Sequence, residues 1–205
     1  KTSHIFREGT ANMKFVSEKK SGQLVIDAKN LTKNFANKSI INNLSIQIKR
    51  GDRIGIVGPN GIGKTTLLKI LLGEIQPDCG EVKLGSNLII AKFDQMREQL
   101  NLESSILQNL TDDPSIKSAE KAGQIIVRGK PKHVAGYLKE FLFSEAQLRS
   151  PVKSLSGGER ARLLLAKIMA KESNLLILDE PTNDLDLETL DLLQEVISEY
   201  QGTVL

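Results

Sequence analysis

The chain has 205 residues, of which 40% are hydrophobic and 26% are charged, a composition that is ordinary for a soluble globular protein. No stretch approaches the roughly 18 consecutive apolar residues that a membrane helix needs, which excludes a chain that itself spans a bilayer. Its 28 basic and 25 acidic residues leave a formal net charge of +3. The single cysteine, Cys79, cannot form an internal disulfide, and we expect a protein of the reducing cytoplasm. Because His4 and His133 lie far apart in the sequence and no ligand cluster surrounds them, we predict no zinc site.

The first residues carry the whole net charge. Residues 1–20 contain five basic and two acidic side chains, whereas the remainder of the chain is neutral overall. Together with the lack of sustained periodicity, this charge predicts a basic linker or arm over residues 1–22. Such an arm is either a solvated linker or a contact for nucleic acid, and the sequence leaves both interpretations open.

Alternating apolar residues predict that the first half of the chain is rich in strands. A buried strand enters a glycine-rich loop at residue 58, and a helix follows that loop and ends at Gly73. The predicted strands cover residues 24–31, 39–48, 53–57, 81–84 and 88–93, and the predicted helix covers residues 65–72.

Residues 98–150 change to a helical spacing of their apolar residues, which predicts an inserted helical subdomain. Beyond it, the pattern predicts a helix over 156–169, a buried strand over 175–178, a helix over 187–199 and the start of a strand at 203–205. A β-rich first part followed by mixed helices and strands favours a layered α/β domain.

The segment between the buried strand and the first helix fits the phosphate-loop pattern G-x-x-x-x-G-K-[ST]. Its glycines let the backbone turn its N–H groups toward phosphate oxygens, and the start of the helix adds positive potential. We predict that Lys64 contacts the β- and γ-phosphates and that the Thr65 hydroxyl binds Mg²⁺, a cation that prefers oxygen ligands. The predicted ATP-binding residues of this segment are Gly58, Pro59, Asn60, Gly61, Ile62, Gly63, Lys64, Thr65 and Thr66.

Two carboxylates, Asp179 and Glu180, follow the apolar run at residues 175–178. A buried strand would deliver both to the carboxyl-end edge of an open α/β sheet, where ligands usually bind. We expect Asp179 to join the Mg²⁺ shell and Glu180 to accept a proton from the attacking water, a step worth ~10²–10⁴-fold in rate. Paired acids after a strand are otherwise often solvated loop residues, and the presence of the phosphate loop favours catalysis.

The run Leu155-Ser156-Gly157-Gly158-Glu159 combines two signals. Ser156 with Glu159 three positions later is a capping box, which begins a helix. The box does not explain Gly157 and Gly158, because each glycine weakens the first turn of a helix by ~1 kcal/mol. Adjacent glycines at a helix start are tolerable where the backbone must approach a phosphate closely.

The phosphate loop at 58–65, the glycine-containing run at 155–159 and the acidic strand end at 175–180, in this order, resemble the ATP-binding cassette (ABC) ATPases. The resemblance implies an α/β, ABC-type nucleotide-binding domain with a RecA-like P-loop core, an antiparallel β subdomain and an inserted helical subdomain. It implies that the ABC ATPase domain covers residues 23–205, with the helical subdomain at about 98–155.

In that family two cassettes enclose two ATP molecules, and the signature motif of each cassette closes over the ATP of the other. The resemblance therefore implies a second cassette as partner, in a full-length chain or as a homodimer. The implied signature residues are Ser156, Gly157, Gly158 and Glu159, and the implied D-loop residues, which couple the two sites, are Asp184 and Asp186.

Two further positions match motifs of the family. Gln95 falls at the Q-loop glutamine, near Mg²⁺ and the attacking water, so it is implied both in catalysis and, with Thr65 and Asp179, in metal binding. Phe35 falls at the position that stacks on adenine, and such stacking is worth ~1–3 kcal/mol per base. Packing in the core is the alternative role for Phe35.

The sequence of residues 180–186 resembles that of the ABC-F branch, whose members have two cassettes and no membrane domain. Within that branch, residues 129–138 and 180–186 resemble the second cassette of Uup-type proteins. This resemblance implies an ATPase that acts on the ribosome. The alternatives are the same ATPase acting on branched or structured DNA, the nucleotide-binding subunit of a membrane transporter, and an ATP-gated binding module that barely hydrolyses ATP. The family's switch histidine is not reached before residue 205, so we expect weak hydrolysis from this fragment alone.

Overall fold

The computed structural model describes residues 22–35, 38–93, 100–119, 121, 123–182 and 185–205. Gln95, Asp184 and the predicted basic arm except for Gly22 lie outside these ranges. None of the helices in the described ranges combines the length and the apolar character that crossing a lipid bilayer requires.

The first layer is an antiparallel sheet of three strands in the order β2–β1–β3. Its strands are β1 (Leu24–Phe35), β2 (Lys38–Lys49) and β3 (Cys79–Leu84). Strand β1 is longer than predicted because the ladder resumes after irregularities around Asn30, whose φ of 51° asparagine tolerates better than most residues. The apolar face of this sheet packs into a core with the first helix and with the second sheet.

The second sheet is parallel, with the order β4–β7–β8. Its strands are β4 (Ile90–Phe93), β7 (Leu175–Leu178) and β8 (Thr203–Val204). Strand β7 is buried on both faces, as predicted: Leu175 and Ile177 pack toward the antiparallel sheet, whereas Leu176 packs into a second core on the opposite side.

The buried strand predicted over 53–57 is wrong beyond its first residues. Arg53 forms a parallel bridge with Val204, and the Ile54 N–H donates to the Val204 carbonyl at 2.9 Å. No further ladder pairs follow in the described part of the chain. Successive side chains of this segment instead alternate between the core and the solvent. Ile56 packs partly on the core, whereas Val57 is 97% exposed.

Three helices flank the sheets, and each begins and ends within one residue of its prediction. They are α1 (Lys64–Leu71), α4 (Gly157–Ala170) and α5 (Leu187–Glu199). Helix α4 is almost wholly enclosed, with Leu163, Leu164 and Leu165 each 2% exposed or less. Helix α4 is buried on nearly all sides, and its apolar residues form the centre of the second core.

The segment predicted as a helical insertion also contains a β-hairpin. It comprises α2 (Ile106–Thr111), β5 (Gln124–Val127), β6 (Lys130–His133), α3 (Val134–Glu140) and a 3-10 turn (Val152–Ser154). The hairpin turns through Arg128 and Gly129, both with positive φ, as two-residue hairpins of matching twist require. The Tyr137 hydroxyl donates to the Ala166 carbonyl at 2.8 Å and thereby joins α3 to the middle of α4.

A buried ion cluster ties the loop after α2 to α4. Asp113, whose side chain is 10% exposed, accepts from Lys167 Nζ at 3.0 Å and contacts Lys171 Nζ at 3.3 Å, and it also accepts from the Ser115 N–H. Burial by itself raises the pKa of the Asp113 carboxyl, but the hydrogen bonds from Ser115 and Lys167 outweigh it and hold the pKa below its ordinary value.

We expect Asp113→Asn to lower the free energy of unfolding by about 2 kcal/mol at neutral pH, because charge-assisted hydrogen bonds to Lys167 are lost. Since the folded-state pKa of Asp113 is depressed, the contribution is complete above the ordinary carboxyl value of 3.8 and is lost as pH falls toward the lower folded value. Urea unfolding of both proteins between pH 7 and pH 3 measures this gap.

The matched control is Glu172→Gln, which breaks the exposed pair with Lys117 and should change stability by less than about 1 kcal/mol. A gap between Asp113→Asn and the natural sequence that stayed constant down to pH 3 would contradict the ionic origin of the stabilisation.

Candidate nucleotide-binding site

The phosphate loop encloses the ammonium group of its own lysine. Lys64 Nζ donates to the carbonyls of Gly58 and Pro59 at 2.8 and 3.2 Å and to Asn60 Oδ1 at 3.3 Å. The loop can follow this tight course because Gly61 and Gly63 adopt φ of 76° and 116°, a region that other residues rarely enter. The result is a backbone ring around one positive charge.

Glycine is required at position 63 for a second reason, because there is no room for a side chain. A Cβ built at this position would lie 2.2 Å from Cγ2 of Ile40, on strand β2. The neighbouring Lys38 of the same strand donates from Nζ to the Gly61 carbonyl at 3.4 Å. The antiparallel sheet therefore supports the phosphate loop from outside.

The start of α1 is open to an anion. Its first i→i−4 hydrogen bond runs from the Leu67 N–H to the Gly63 carbonyl, so the preceding amides have no acceptor within the helix. No acidic residue lies in the first turn, and no side chain caps Gly63. Unpaired amides and the helix dipole together favour a phosphate group at this end.

The acidic end of β7 meets the phosphate loop directly. Thr65 Oγ1 donates to Asp179 Oδ1 at 3.1 Å, and Lys64 Nζ lies 3.4 Å from Glu180 Oε1. Glu180 has a φ of 48°, which for a glutamate is an uncommon and strained backbone conformation. Such strain turns the chain sharply after the strand, and both carboxylates end beside the loop.

The Thr65 hydroxyl and the Asp179 carboxylate fit Mg²⁺. Both are hard oxygen donors, and their 3.1 Å contact brings them close enough to share one cation. In the described ranges no cluster of three or more His, Cys, Asp or Glu forms elsewhere or here. Mg²⁺ usually keeps several waters and takes phosphate oxygens as further ligands, so two protein oxygens are enough to hold it beside a nucleotide.

The signature residues form the predicted capping box. Ser156 Oγ accepts from the Glu159 N–H at 3.2 Å, and Glu159 Oε2 accepts from the Ser156 N–H at 2.8 Å. Gln147 donates to the other oxygen of Glu159 at 2.7 Å. The Ser156 N–H, the largest contribution, holds the pKa of the Glu159 carboxyl below its ordinary value, so this side chain remains an acceptor at neutral pH.

Gly158 lies against Asp186 and Thr189, at the start of α5. A Cβ at Gly158 would approach Asp186 Oδ2 to 2.2 Å, so only glycine fits there without movement. Asp186 caps α5 by accepting from the Thr189 N–H at 2.8 Å, and hydrogen bonds from Thr189 hold its pKa below the ordinary value. The signature helix and the start of α5 are therefore in contact at this point.

Arg162 belongs to the same contact and was not predicted from the sequence. Its side chain is only 9% exposed, and Nη1 lies 3.7 Å from Asp186 and 3.8 Å from Glu188. An arginine within the apolar run of α4 is a signal that could have indicated a buried partner, since charged side chains are rarely buried without one.

Phe35 is 49% exposed and therefore lies at the surface and not in the core. It pairs in the ladder with Lys38, whose ammonium contacts the phosphate loop, so the Phe35 ring lies on the same edge of the antiparallel sheet as that loop. Lys33 Nζ lies 5.4 Å from the centre of the ring. Lys33 could have been noticed in the sequence, because residues two apart on a strand share a face.

The predicted site residues thus lie in two groups in the structure. Lys64, Thr65, Asp179 and Glu180 converge in the first, and the signature residues join Asp186 in the second. Gln95 and Asp184 lie outside the described residues, although β4, which precedes Gln95, ends beside the end of β7.

Residues 41–183 match the sequence model of the family described as ABC transporter. The ATP-binding protein Uup of Caulobacter vibrioides is 52% identical over 197 residues, which cover 96% of this chain and 31% of that protein. The Uup protein of Escherichia coli is 48% identical over the same share of this chain and 30% of its own length.

The energy-dependent translational throttle protein EttA of Haemophilus influenzae is 38% identical over 181 residues, covering 88% of this chain and 31% of that protein. The chain therefore spans less than a third of the length of these relatives. Among solved structures, an ABC transporter of a metal-chelate type in an inward-facing conformation superposes with a TM-score of 0.61 at 25% identity, over 89% of this chain and 72% of that one. The α/β nucleotide-binding fold is thereby confirmed, the chain belongs to the ABC ATPase family, and within that family it resembles the Uup proteins of the ABC-F branch.

Proposed function

We propose that this chain is the second cassette of a twin-cassette ABC-F protein of the cytoplasm, in which ATP-driven closure of the two cassettes acts on the ribosome. The observation that carries its catalytic part is the convergence of Thr65 with Asp179 and of Lys64 with Glu180. These contacts support the proposal because they bring together the side chains to which we assign phosphate binding, Mg²⁺ binding and proton acceptance.

Each residue of this group has a distinct role in hydrolysis. Lys64 binds the β- and γ-phosphates, and Thr65 and Asp179 hold the cation. When bound, Mg²⁺ offsets charge on the phosphate oxygens. Glu180 orients the attacking water and accepts its proton, and Phe35 stacks on the adenine ring.

The signature motif acts on the ATP of the other cassette. Ser156 is exposed at the start of α4, and its backbone and that of Glu159 are already satisfied by the capping box. The remaining amides of the first turn, those of Gly157 and Gly158, suit a phosphate that arrives from a second cassette. Gln95 and Asp184 keep their proposed roles in the Q-loop and the D-loop.

The ribosome as target is supported by the similarity to EttA, whose name describes a translational throttle protein. The basic residues at 1–20 suit the phosphates of nucleic acid, whether RNA or structured DNA. The transporter alternative is less favoured because the relatives with the higher identities are Uup proteins. Weak turnover of the isolated chain stays a prediction, which phosphate release from this chain alone would measure.

We expect Lys64→Ala to weaken Mg-ATP binding by at least about tenfold, because charge-assisted hydrogen bonds to phosphate are lost. Glu180→Gln should leave ATP affinity within about twofold and slow turnover by about 10²–10⁴-fold, since glutamine keeps the size of the side chain but cannot accept the proton. Calorimetry measures the affinity, and phosphate release measures the turnover.

The control for the lost charge is Lys69→Ala, because Lys69 is an exposed lysine of the same helix α1. It should change neither quantity. Unchanged ATP affinity in Lys64→Ala would refute the phosphate-loop assignment. Full turnover in Glu180→Gln would refute the role of Glu180 as base, and a turnover that is barely measurable in the natural sequence and unchanged in Glu180→Gln would favour the ATP-gated binding module.

We expect Gly158→Ala to separate the two halves of the site. The added methyl group displaces the Asp186 carboxylate, so turnover that depends on a second cassette should fall about tenfold or more. ATP affinity of the chain's own phosphate loop should stay within about twofold. Turnover and ATP affinity are both measured in the full-length natural protein that contains this chain.

Gly136→Ala is the matched control, because a Cβ at Gly136 of α3 meets nothing within 4 Å. That methyl group should raise the free energy of unfolding by about 0.5–1 kcal/mol and leave turnover unchanged. Turnover in Gly158→Ala equal to that in Gly136→Ala would argue against the signature role of Gly158.

The cellular target is tested by co-sedimentation of the same full-length protein, carrying Glu180→Gln and its counterpart in the other cassette, with ribosomes. The expected result is pelleting with ribosomes that requires ATP. A shift of branched DNA without ribosome binding would transfer the proposal to DNA, and binding to neither would refute both targets while leaving the ATPase assignment intact.

A further inference from the structure

Asp78 joins the loop after α1 to the end of β1. Its Oδ2 accepts from the Asn34 N–H and its Oδ1 accepts from Lys33 Nζ, both at 2.7 Å, while its own N–H donates to the Thr32 carbonyl at 2.8 Å. Helix α1 begins at the phosphate loop, so Asp78 links the segment that leaves that helix to the residues that immediately precede Phe35.

This contact takes the place of a missing strand neighbour. The ladder between β1 and β3 ends at the pair Thr32–Cys79, whereas β1 itself continues to Phe35 alongside β2. On the β3 side the Asn34 N–H would therefore lack a backbone acceptor, and the Asp78 carboxylate supplies one. On the β3 side, the end of β1 next to the Phe35 ring is therefore held by a side chain and not by a neighbouring strand.

Lys33 completes the arrangement. Its ammonium also donates to the Gln76 carbonyl at 3.0 Å, and its side chain is only 15% exposed. From this fixed place it lies 5.4 Å from the centre of the Phe35 ring, within the range at which a cation is attracted to an aromatic face. Hydrogen bonds from Lys33 and Asn34 hold the pKa of the Asp78 carboxyl below its ordinary value, so this carboxylate is charged at neutral pH.

The ring of Phe35 is thus restrained from one side while about half of the residue stays exposed. An exposed aromatic ring with free rotation would lose conformational freedom when a base stacks on it, and a restrained ring loses less. The restraint comes from Lys33 and Asp78, neither of which lies in the phosphate loop.

We propose that Lys33 and Asp78 are positioning residues that hold Phe35 ready to stack on the purine ring of the nucleotide, and that they set the contribution of the base to affinity. This inference rests on the proposed stacking role of Phe35. It implies that the pair affects ligands with a base and not inorganic polyphosphates, which bind only through the phosphate loop.

The test measures the affinities of Mg-ATP and of Mg-tripolyphosphate for this chain by calorimetry. The variants are Phe35→Leu, Asp78→Asn and Lys33→Met, with Lys29→Met as the control. Lys29 lies on the same strand, is 54% exposed and pairs only loosely with Asp27 at 3.6 Å. Its replacement removes the same charge without touching Phe35, and it should change neither affinity.

Phe35→Leu should weaken ATP binding about tenfold, and Asp78→Asn and Lys33→Met should each weaken it about three- to tenfold. Affinity for tripolyphosphate should stay within about twofold in all three variants. In the double variant Phe35→Leu with Asp78→Asn, ATP binding should be no weaker than in Phe35→Leu alone, because the pair acts only through the ring.

The outcomes distinguish the inference from its premise. If Phe35→Leu leaves the ratio of the two affinities unchanged, the stacking role of Phe35 is wrong and the inference falls with it. If Phe35→Leu lowers the ratio but Asp78→Asn and Lys33→Met do not, stacking stands and the positioning role is overturned. A loss of affinity for both ligands in Asp78→Asn and Lys33→Met would reduce the pair to a merely structural role and would also overturn the inference.

Discussion

The hydrogen bond between the Thr65 hydroxyl and the Asp179 carboxylate joins the two halves on which the site depends. Thr65 lies in the first turn of α1, which packs with the antiparallel sheet, and Asp179 follows β7 of the parallel sheet. Strand β7 is buried on both faces and cannot shift without disturbing both cores. The position of Asp179 is therefore set by packing, and the loop is placed against it by the helix.

The burial of β7 on both faces also explains the unusual backbone conformation of Glu180. A strand buried on both faces must end abruptly if its next side chains are to reach solvent and substrate, and a positive φ directly after Asp179 achieves this in one residue. The strain is local, whereas the apolar contacts of Leu175, Leu176 and Ile177 that oppose it are extensive. Such an arrangement leaves a carboxylate beside Lys64 without burying it.

What the sequence predicted well is local in the chain. The phosphate loop, the capping box at Ser156 and the helix over 187–199 depend on residues within a few positions of each other, so spacing alone reveals them. The contact of Arg162 with Asp186 and that of Lys33 with Asp78 join residues far apart in the chain. The arginine within the apolar run of α4 indicates that a buried partner exists, but no local pattern identifies which residue is the partner in either contact.

Two errors in the predicted elements have a similar cause. Residues 53–57 have the apolar alternation of a strand, but alternation does not supply the neighbouring strand that a ladder needs. The sequence pattern assigns the short run Gln124–Val127 to a helical segment because the flanking residues have helical spacing, and only the pairing of this run with Lys130–His133 identifies the hairpin. Strand pairing is a tertiary property, and it decided both cases.

The close approach of Ile40 to Gly63 limits how this site can change over time. The glycine is demanded twice, by a backbone angle of 116° and by the methyl group 2.2 Å from where a Cβ would stand. Trimming Ile40 would relieve the second demand and leave the first intact, so no single compensating substitution opens position 63 to another amino acid. At position 40, in contrast, only the size of the side chain is restricted. A lineage is therefore free to drift at Ile40 among smaller side chains while Gly63 stays invariant, and the two positions should show no reciprocal exchange.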